Sequence, residues 1–181
     1  YPAAIEDCTA AYRALLEEVA PSSLVVAGDS AGGGATLATV VALRDAGDPL
    51  PACLYLMSPW TDLTLSGETH QTRKSVDPLV PRGGIDGHLQ LMDQLVDGYR
   101  GVEDAGHPGI SPLFADLSGL PPLLLQVGSD ETLLSLVRAG CRTKPDVDGT
   151  PNDLQSTPSR EHRGWAQAPG GGSLRGHVYQ L

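Results

Sequence analysis

Ser30 stands between two glycines in Gly28-Asp29-Ser30-Ala31-Gly32, a spacing able to support acyl-transfer chemistry. In a sharp strand-to-helix turn, flanking glycines leave room where a Cβ would collide, and the serine projects alone from the turn. The N–H of Ala31, in the first turn of the following helix, is then aimed at the oxyanion formed when Ser30 attacks a carbonyl. One position therefore specifies a nucleophile and half of an oxyanion hole. Asp29 beside it is expected to organise the turn by hydrogen bonding rather than to act as a base.

The flanks have the order such a turn requires. Ser23–Ala27 is a short run rich in Val and Leu, as expected of a buried parallel strand. Ala35, Leu37, Ala38, Val40, Val41, Ala42 and Leu43 predict a helix buried on most sides, stopping near Gly47 and Pro49. Upstream, Ile5, Cys8, Tyr12, Leu15 and Val19 predict an amphipathic helix over 3–19. Further buried strands are expected at 50–57 and 121–128, with a helix over 85–99 carrying Ile85, Leu89, Met92, Val96 and Tyr99. Residues 64–84 are polar and punctuated by Pro and Gly, the character of a loop. Strands alternating with helices predict an α/β fold: a mostly parallel sheet covered by helices on both faces. From 141 to 175 the chain is rich in Pro, Gly, Ser and Arg and poor in aliphatics, and reads as irregular or disordered.

Composition excludes several classes. A net charge of −10 on 181 residues, with no basic cluster, argues against binding nucleic acid. No apolar run is long enough to span a bilayer, so no membrane insertion is expected. Cys8, Cys53 and Cys141 are widely spaced and odd in number, with no CxxC pair, which points to a reducing, cytoplasmic setting without a zinc site. Whether the chain forms a homo-oligomer is left open by these features.

Together with the serine turn, Ser58-Pro59-Trp60-Thr61-Asp62, Ser111-Pro112-Leu113, Gly119-Leu120-Pro121-Pro122 and Gly176-His177-Val178-Tyr179 resemble the bacterial hormone-sensitive-lipase-like esterases. These form family IV of the α/β-hydrolase fold. The resemblance covers 1 to about 138, weakens, and returns at Gly176. It implies hydrolysis of short to medium acyl esters through an acyl-enzyme, with no metal or organic cofactor and a small-molecule ester as substrate. Residue by residue, it implies Ser30 as nucleophile, His177 as base and Glu131 in Glu131-Thr132-Leu133-Leu134 as the acid, with Asp130 next in line. Their order along the chain is the one expected of this fold. His162 lies in a charged stretch, and His70, His88 and His107 fall in polar or helical surface segments, so none is expected to be catalytic.

The family also carries a His-Gly-Gly-Gly loop before the serine, and residues 1–29 hold no such run. The chain therefore reads as a fragment of weak or no activity, with a hydrolase core over 1–140, a cap-side segment near 64–100 and a histidine-bearing end at 176–181. Leu89, Met92 and Val96 are expected to pack on the core, with lining of an acyl pocket as the other assignment. A noncatalytic small-molecule-binding protein on the same scaffold is the competing reading, and ester and amide hydrolysis are not distinguished by these residues.

Overall fold

A computed structural model describes residues 1–80, 85–143, 157–158 and 176–180 of the chain. Helix α1 runs over Ala3–Leu15, strand β1 over Val25–Asp29 and helix α2 over Ala31–Ala46. Strand β2 (Cys53–Met57), the short helix α3 (Thr69–Thr72) and helix α4 (Ile85–Arg100) follow. Strand β3 (Leu123–Gly128), helix α5 (Leu134–Thr143) and strands β4 (Thr157–Pro158) and β5 (Gly176–Gln180) complete the elements. Each element expected before residue 140 is present. Helix α1 is shorter than its pattern because the chain leaves the helix at Leu16 for a run of turns. Helix α2 stops where Gly47 takes φ 76° as its left-handed cap. Most of the stretch expected to be irregular, 141–175, lies outside the described residues.

The strands lie in the order β1-β2-β3-β5-β4. Both the β1–β2 and β2–β3 pairings are parallel, whereas β5 pairs antiparallel with β3 and with β4. The α/β class expected from the sequence is the observed one, with the parallel part confined to β1, β2 and β3.

One face of the sheet carries the core. Leu54 and Leu56 of β2 and Leu123, Leu125 and Val127 of β3 are buried against Leu37, Val40 and Leu43 of α2 and Leu134 and Val137 of α5. Tyr12 attaches α1 to this core, and its hydroxyl donates to the Pro49 carbonyl at 3.1 Å. Burial, followed by the charge of Asp48, pushes the Tyr12 hydroxyl pKa up. A second cluster joins Trp60, Val96, Leu113 and Leu136, with Met92 packed against it. Met92 and Val96 are thus core residues, as the helical stripe suggested; the Leu89 side chain lies outside the described residues.

The opposite face corrects an expectation. Both faces were expected to be covered, yet Val25 is 58% exposed, Leu124 is 37% exposed and the Tyr55–Gln126 hydrogen bond is exposed. Val25, Ala27 and Asp29 alternate with half-buried neighbours because β1 pairs only with β2 and no described element covers that face. Strand β1 therefore has a one-sided pattern despite its continuous apolar sequence.

Truncating Leu56, fully buried in the central parallel strand, should cost about 2–5 kcal/mol in Leu56→Ala. Leu124→Ala on the exposed face should cost under about 1 kcal/mol. Urea unfolding of the two variants would check this contrast, and equal losses would mean that the exposed face is packed in solution.

Candidate active site

Ser30 has φ 55° and ψ −119°, a conformation that an L residue adopts only under constraint. The constraint is a set of backbone hydrogen bonds. Its N–H donates to the Met57 carbonyl at 2.9 Å, and its carbonyl accepts from Gly33 at 3.0 Å, Gly34 at 3.2 Å and Trp60 at 2.8 Å. Ser30 occupies the N-cap of α2, where a serine hydroxyl ordinarily bonds back to the helix. Here it makes no capping bond and the residue is exposed. The turn therefore holds the backbone firmly and leaves the hydroxyl outside.

Bare Cα atoms at Gly28, Gly33 and Gly34 make this packing sterically possible. A Cβ on Gly28 would lie 2.6 Å from the Thr36 hydroxyl oxygen and even closer to the Gly32 carbonyl, so the turn closes only over a bare Cα. On Gly34 a Cβ would strike the Trp60 carbonyl. Gly32 departs from the expectation that both glycines of the pattern are sterically required, because a Cβ there meets nothing within 4 Å. Asp29 departs as well. It is exposed, and its carboxylate makes no hydrogen bond among the described residues, since its side chain lies on the uncovered face of β1.

The segment after β2 completes the support. Ser58 has φ 42°, and its N–H donates to the Gln126 carbonyl of β3 at 2.6 Å. Pro59 and Asp62 are fully buried, and the Trp60 indole N–H donates to the Asp62 carbonyl at 2.9 Å. The Asp62 carboxylate accepts from the N–H and hydroxyl groups of both Thr64 and Ser66. Ser111 receives the Leu63 N–H at 2.7 Å and donates to the Ala105 carbonyl at 2.6 Å, tying the segment around Pro112 to this loop.

The turn after β3 carries both candidate acids in different settings. The Glu131 carboxylate accepts the Gly128 N–H at 2.8 Å, the Glu131 N–H donates back to the Gly128 carbonyl at 3.3 Å, and the residue is half-buried. Asp130 is exposed and, among the described residues, meets Arg73 at 3.8 Å in an open ion pair. Leu133 and Leu134 insert into separate core clusters and anchor the turn from its C-terminal side.

Parallel pairing brings the C-terminal ends of β1, β2 and β3 to one edge of the sheet, so Ser30, Ala31, Asp130 and Glu131 gather there. Strand β5 begins at that same end, with Gly176 opposite Gly128 and His177 opposite Val127. The backbone register thus brings the predicted serine, acid and histidine to one end of the molecule. Between β1 and β5 lie three strand spacings, about 14 Å. The His177 side chain lies outside the described residues, as do those of His88 and His162.

Some residues here escaped the sequence analysis. His70, expected on the surface, is 4% exposed because α3 turns it inward. Asp77 and Thr69, from the segment read as a polar loop, bond to Thr132 immediately after Glu131. The only available signal was the dipeptide Asp77-Pro78, which marks a turn but not its partner. Among the described residues no group of three or more His, Cys, Asp or Glu side chains could hold a metal ion, and no helix is long and apolar enough to cross a membrane.

Residues 1–163 match the family model described as the alpha/beta hydrolase fold. The chain belongs to that family. It is 43% identical to an acetyl-hydrolase of Streptomyces hygroscopicus over 163 residues, covering 90% of this chain and 52% of the relative. An esterase of Acinetobacter venetianus is 38% identical over 137 residues, covering 74% of this chain and 43% of that protein. The crystal structure of an esterase from the bacterial hormone-sensitive lipase family superposes with a TM-score of 0.71 at 44% identity, covering 78% of this chain and 46% of that one. The resemblance to hormone-sensitive-lipase-like esterases is thereby upheld, and the chain spans about half the length of the relatives it matches.

Gly34→Ala should destabilise this α/β hydrolase by at least about 1–3 kcal/mol through overpacking against Trp60. Gly32→Ala, in the open first turn of α2, should be neutral or stabilising by up to about 1 kcal/mol. Thermal unfolding of both variants would test the turn geometry, and similar losses at the two positions would contradict it.

Proposed function

We propose that this chain is the nucleophile-bearing part of a serine carboxylester hydrolase acting on esters of short to medium acyl groups. The observation that carries the proposal is the strained, backbone-locked Ser30, whose exposed hydroxyl is not spent on capping α2. The relative named acetyl-hydrolase, at 43% identity, supports the short end of the acyl range.

In this reading His177 takes the Ser30 hydroxyl proton as Oγ attacks the ester carbonyl carbon. The carbonyl oxygen becomes an oxyanion supported by the Ala31 N–H. Collapse of the tetrahedral intermediate breaks the bond to the alcohol, which leaves with the proton held by His177. Water, deprotonated by the same imidazole, then attacks the acyl-enzyme and releases the carboxylic acid and free Ser30. His177 stands on β5 at the same end of the sheet, three strand spacings from β1, so this proton transfer requires its segment to leave that pairing and move toward β1. Glu131 is favoured over Asp130 as the group that orients His177 and stabilises its imidazolium. Its carboxylate is half-buried and held by the Gly128 N–H, whereas Asp130 is exposed and faces Arg73.

Residues 1–181 contain no His-Gly-Gly-Gly run, so within this chain oxyanion support falls to Ala31. Lack of a second donor should lower turnover by roughly 10²–10³. The segment near 64–100 is assigned to the wall of the acyl site, and the free thiols of Cys8 and Cys53 suit the same cytoplasmic setting.

Hydrolysis of p-nitrophenyl acetate and butyrate by the purified chain tests the assignment. Ser30→Ala and His177→Ala should fall to background. Glu131→Gln should lose roughly 10³–10⁴ in kcat, or reach background first, and Asp130→Asn should lose less than about tenfold. Retained activity in Ser30→Ala would overturn the proposal, and a larger loss in Asp130→Asn than in Glu131→Gln would transfer the acid role to Asp130.

A further inference from the structure

Thr132 is held at every polar atom by a segment distant in sequence. Its N–H and hydroxyl both donate to one carboxylate oxygen of Asp77, at 2.7 and 2.9 Å, while the other oxygen accepts the Leu79 N–H at 2.9 Å. The Thr132 carbonyl accepts the Thr69 hydroxyl proton at 2.5 Å. Thr69 Oγ1 in turn accepts the Ser135 N–H at 2.9 Å, and the Thr69 N–H donates to Ser135 Oγ at 3.2 Å. Thr69, Asp77 and Thr132 are 7%, 7% and 6% exposed. Burying a carboxylate is costly unless its oxygens receive hydrogen bonds, and the Asp77 carboxylate receives three.

The peptide bond between Glu131 and Thr132 is therefore fixed from its C-terminal side, and the Glu131 carboxylate closes the other side on the Gly128 N–H. We propose that Asp77 is a positioning residue of the hydrolytic site: through Thr132, with Thr69 as the second hold, it sets the turn that carries the Glu131 carboxylate. The inference rests on the reading of Glu131 as the triad acid. It gives the described segment 64–80 a task beyond the proposed wall of the acyl site, since Thr69 and Asp77 would hold the acid in register. An amide cannot replace Asp77 here. The three incoming N–H and O–H groups require acceptors on both oxygens, and the NH₂ of Asn would face a donor.

The test uses the purified chain with Asp77→Asn, Thr132→Val, Thr132→Ser, Glu131→Gln and the double variant Asp77→Asn/Glu131→Gln. Two measurements are made. Amide hydrogen exchange at Gly128 reads the Glu131 carboxylate directly and needs no turnover. Asp77→Asn, or Thr132→Val if the former does not fold, should speed Gly128 exchange at least tenfold while the Leu125 amide of β3 keeps its protection. Thr132→Ser, which retains both bonds to Asp77, should restore what Thr132→Val loses. Unchanged Gly128 exchange, or equal loss at Leu125, would overturn the inference, because the clamp would then be idle or merely structural. In p-nitrophenyl acetate hydrolysis, Asp77→Asn should lower kcat about tenfold with KM little changed, and by less than twofold when Glu131 is already Gln. The same loss in both backgrounds would also overturn it. Absence of any Ser30-dependent hydrolysis, with Gly128 responding as expected, would instead remove the hydrolase reading and leave the placement of Glu131 by Asp77 standing.

Discussion

The arrangement depends on the backbone of Ser30. A residue at φ 55° carries strain of about 1–3 kcal/mol and persists only where its surroundings over-determine it. Four hydrogen bonds do so here, and two of them come from outside α2: the Met57 carbonyl and the Trp60 N–H. The end of β2 thus sets the serine as much as the serine's own turn does. Ser58, at φ 42° and bonded to Gln126, passes the same constraint to β3. A serine turn, a Pro-Trp-Thr-Asp segment and a third strand form one hydrogen-bonded unit.

The turn after β3 has a different construction. Its strand is fixed by the sheet and its exit by Leu133 and Leu134 in two cores, while the Glu131 carboxylate accepts the Gly128 N–H and the adjoining Thr132 N–H donates to Asp77. Apolar packing is tolerant of small shifts in direction. Converging hydrogen bonds to a buried carboxylate are not, and they fix the direction of the chain at this turn.

Much of this was legible in the sequence because local patterns determine it. Gly28, Ser30 and the aliphatic run of α2 are short-range signals, and strand, turn and helix fell where they indicated. What was not legible depends on neighbours remote in sequence or outside the described residues. The apolar run of β1 predicted burial, but Val25 is exposed because no described element covers its face. Gly32 matched the pattern yet faces open space, since only the packed surface of the turn decides which Cβ would clash. Asp77 looked like a surface polar residue because its partner, Thr132 in the turn after β3, lies 55 residues away, and polar composition alone does not reveal such pairing; His70 is likewise buried within a segment of polar composition.

The central claim is that Ser30 is an activated nucleophile. Covalent labelling of the purified chain with a fluorophosphonate, with the adduct mapped by mass spectrometry, tests it most directly. The account predicts a stoichiometric adduct on Ser30 Oγ that disappears in Ser30→Ala. An adduct on another residue, or folded protein that stays unlabelled, would contradict it.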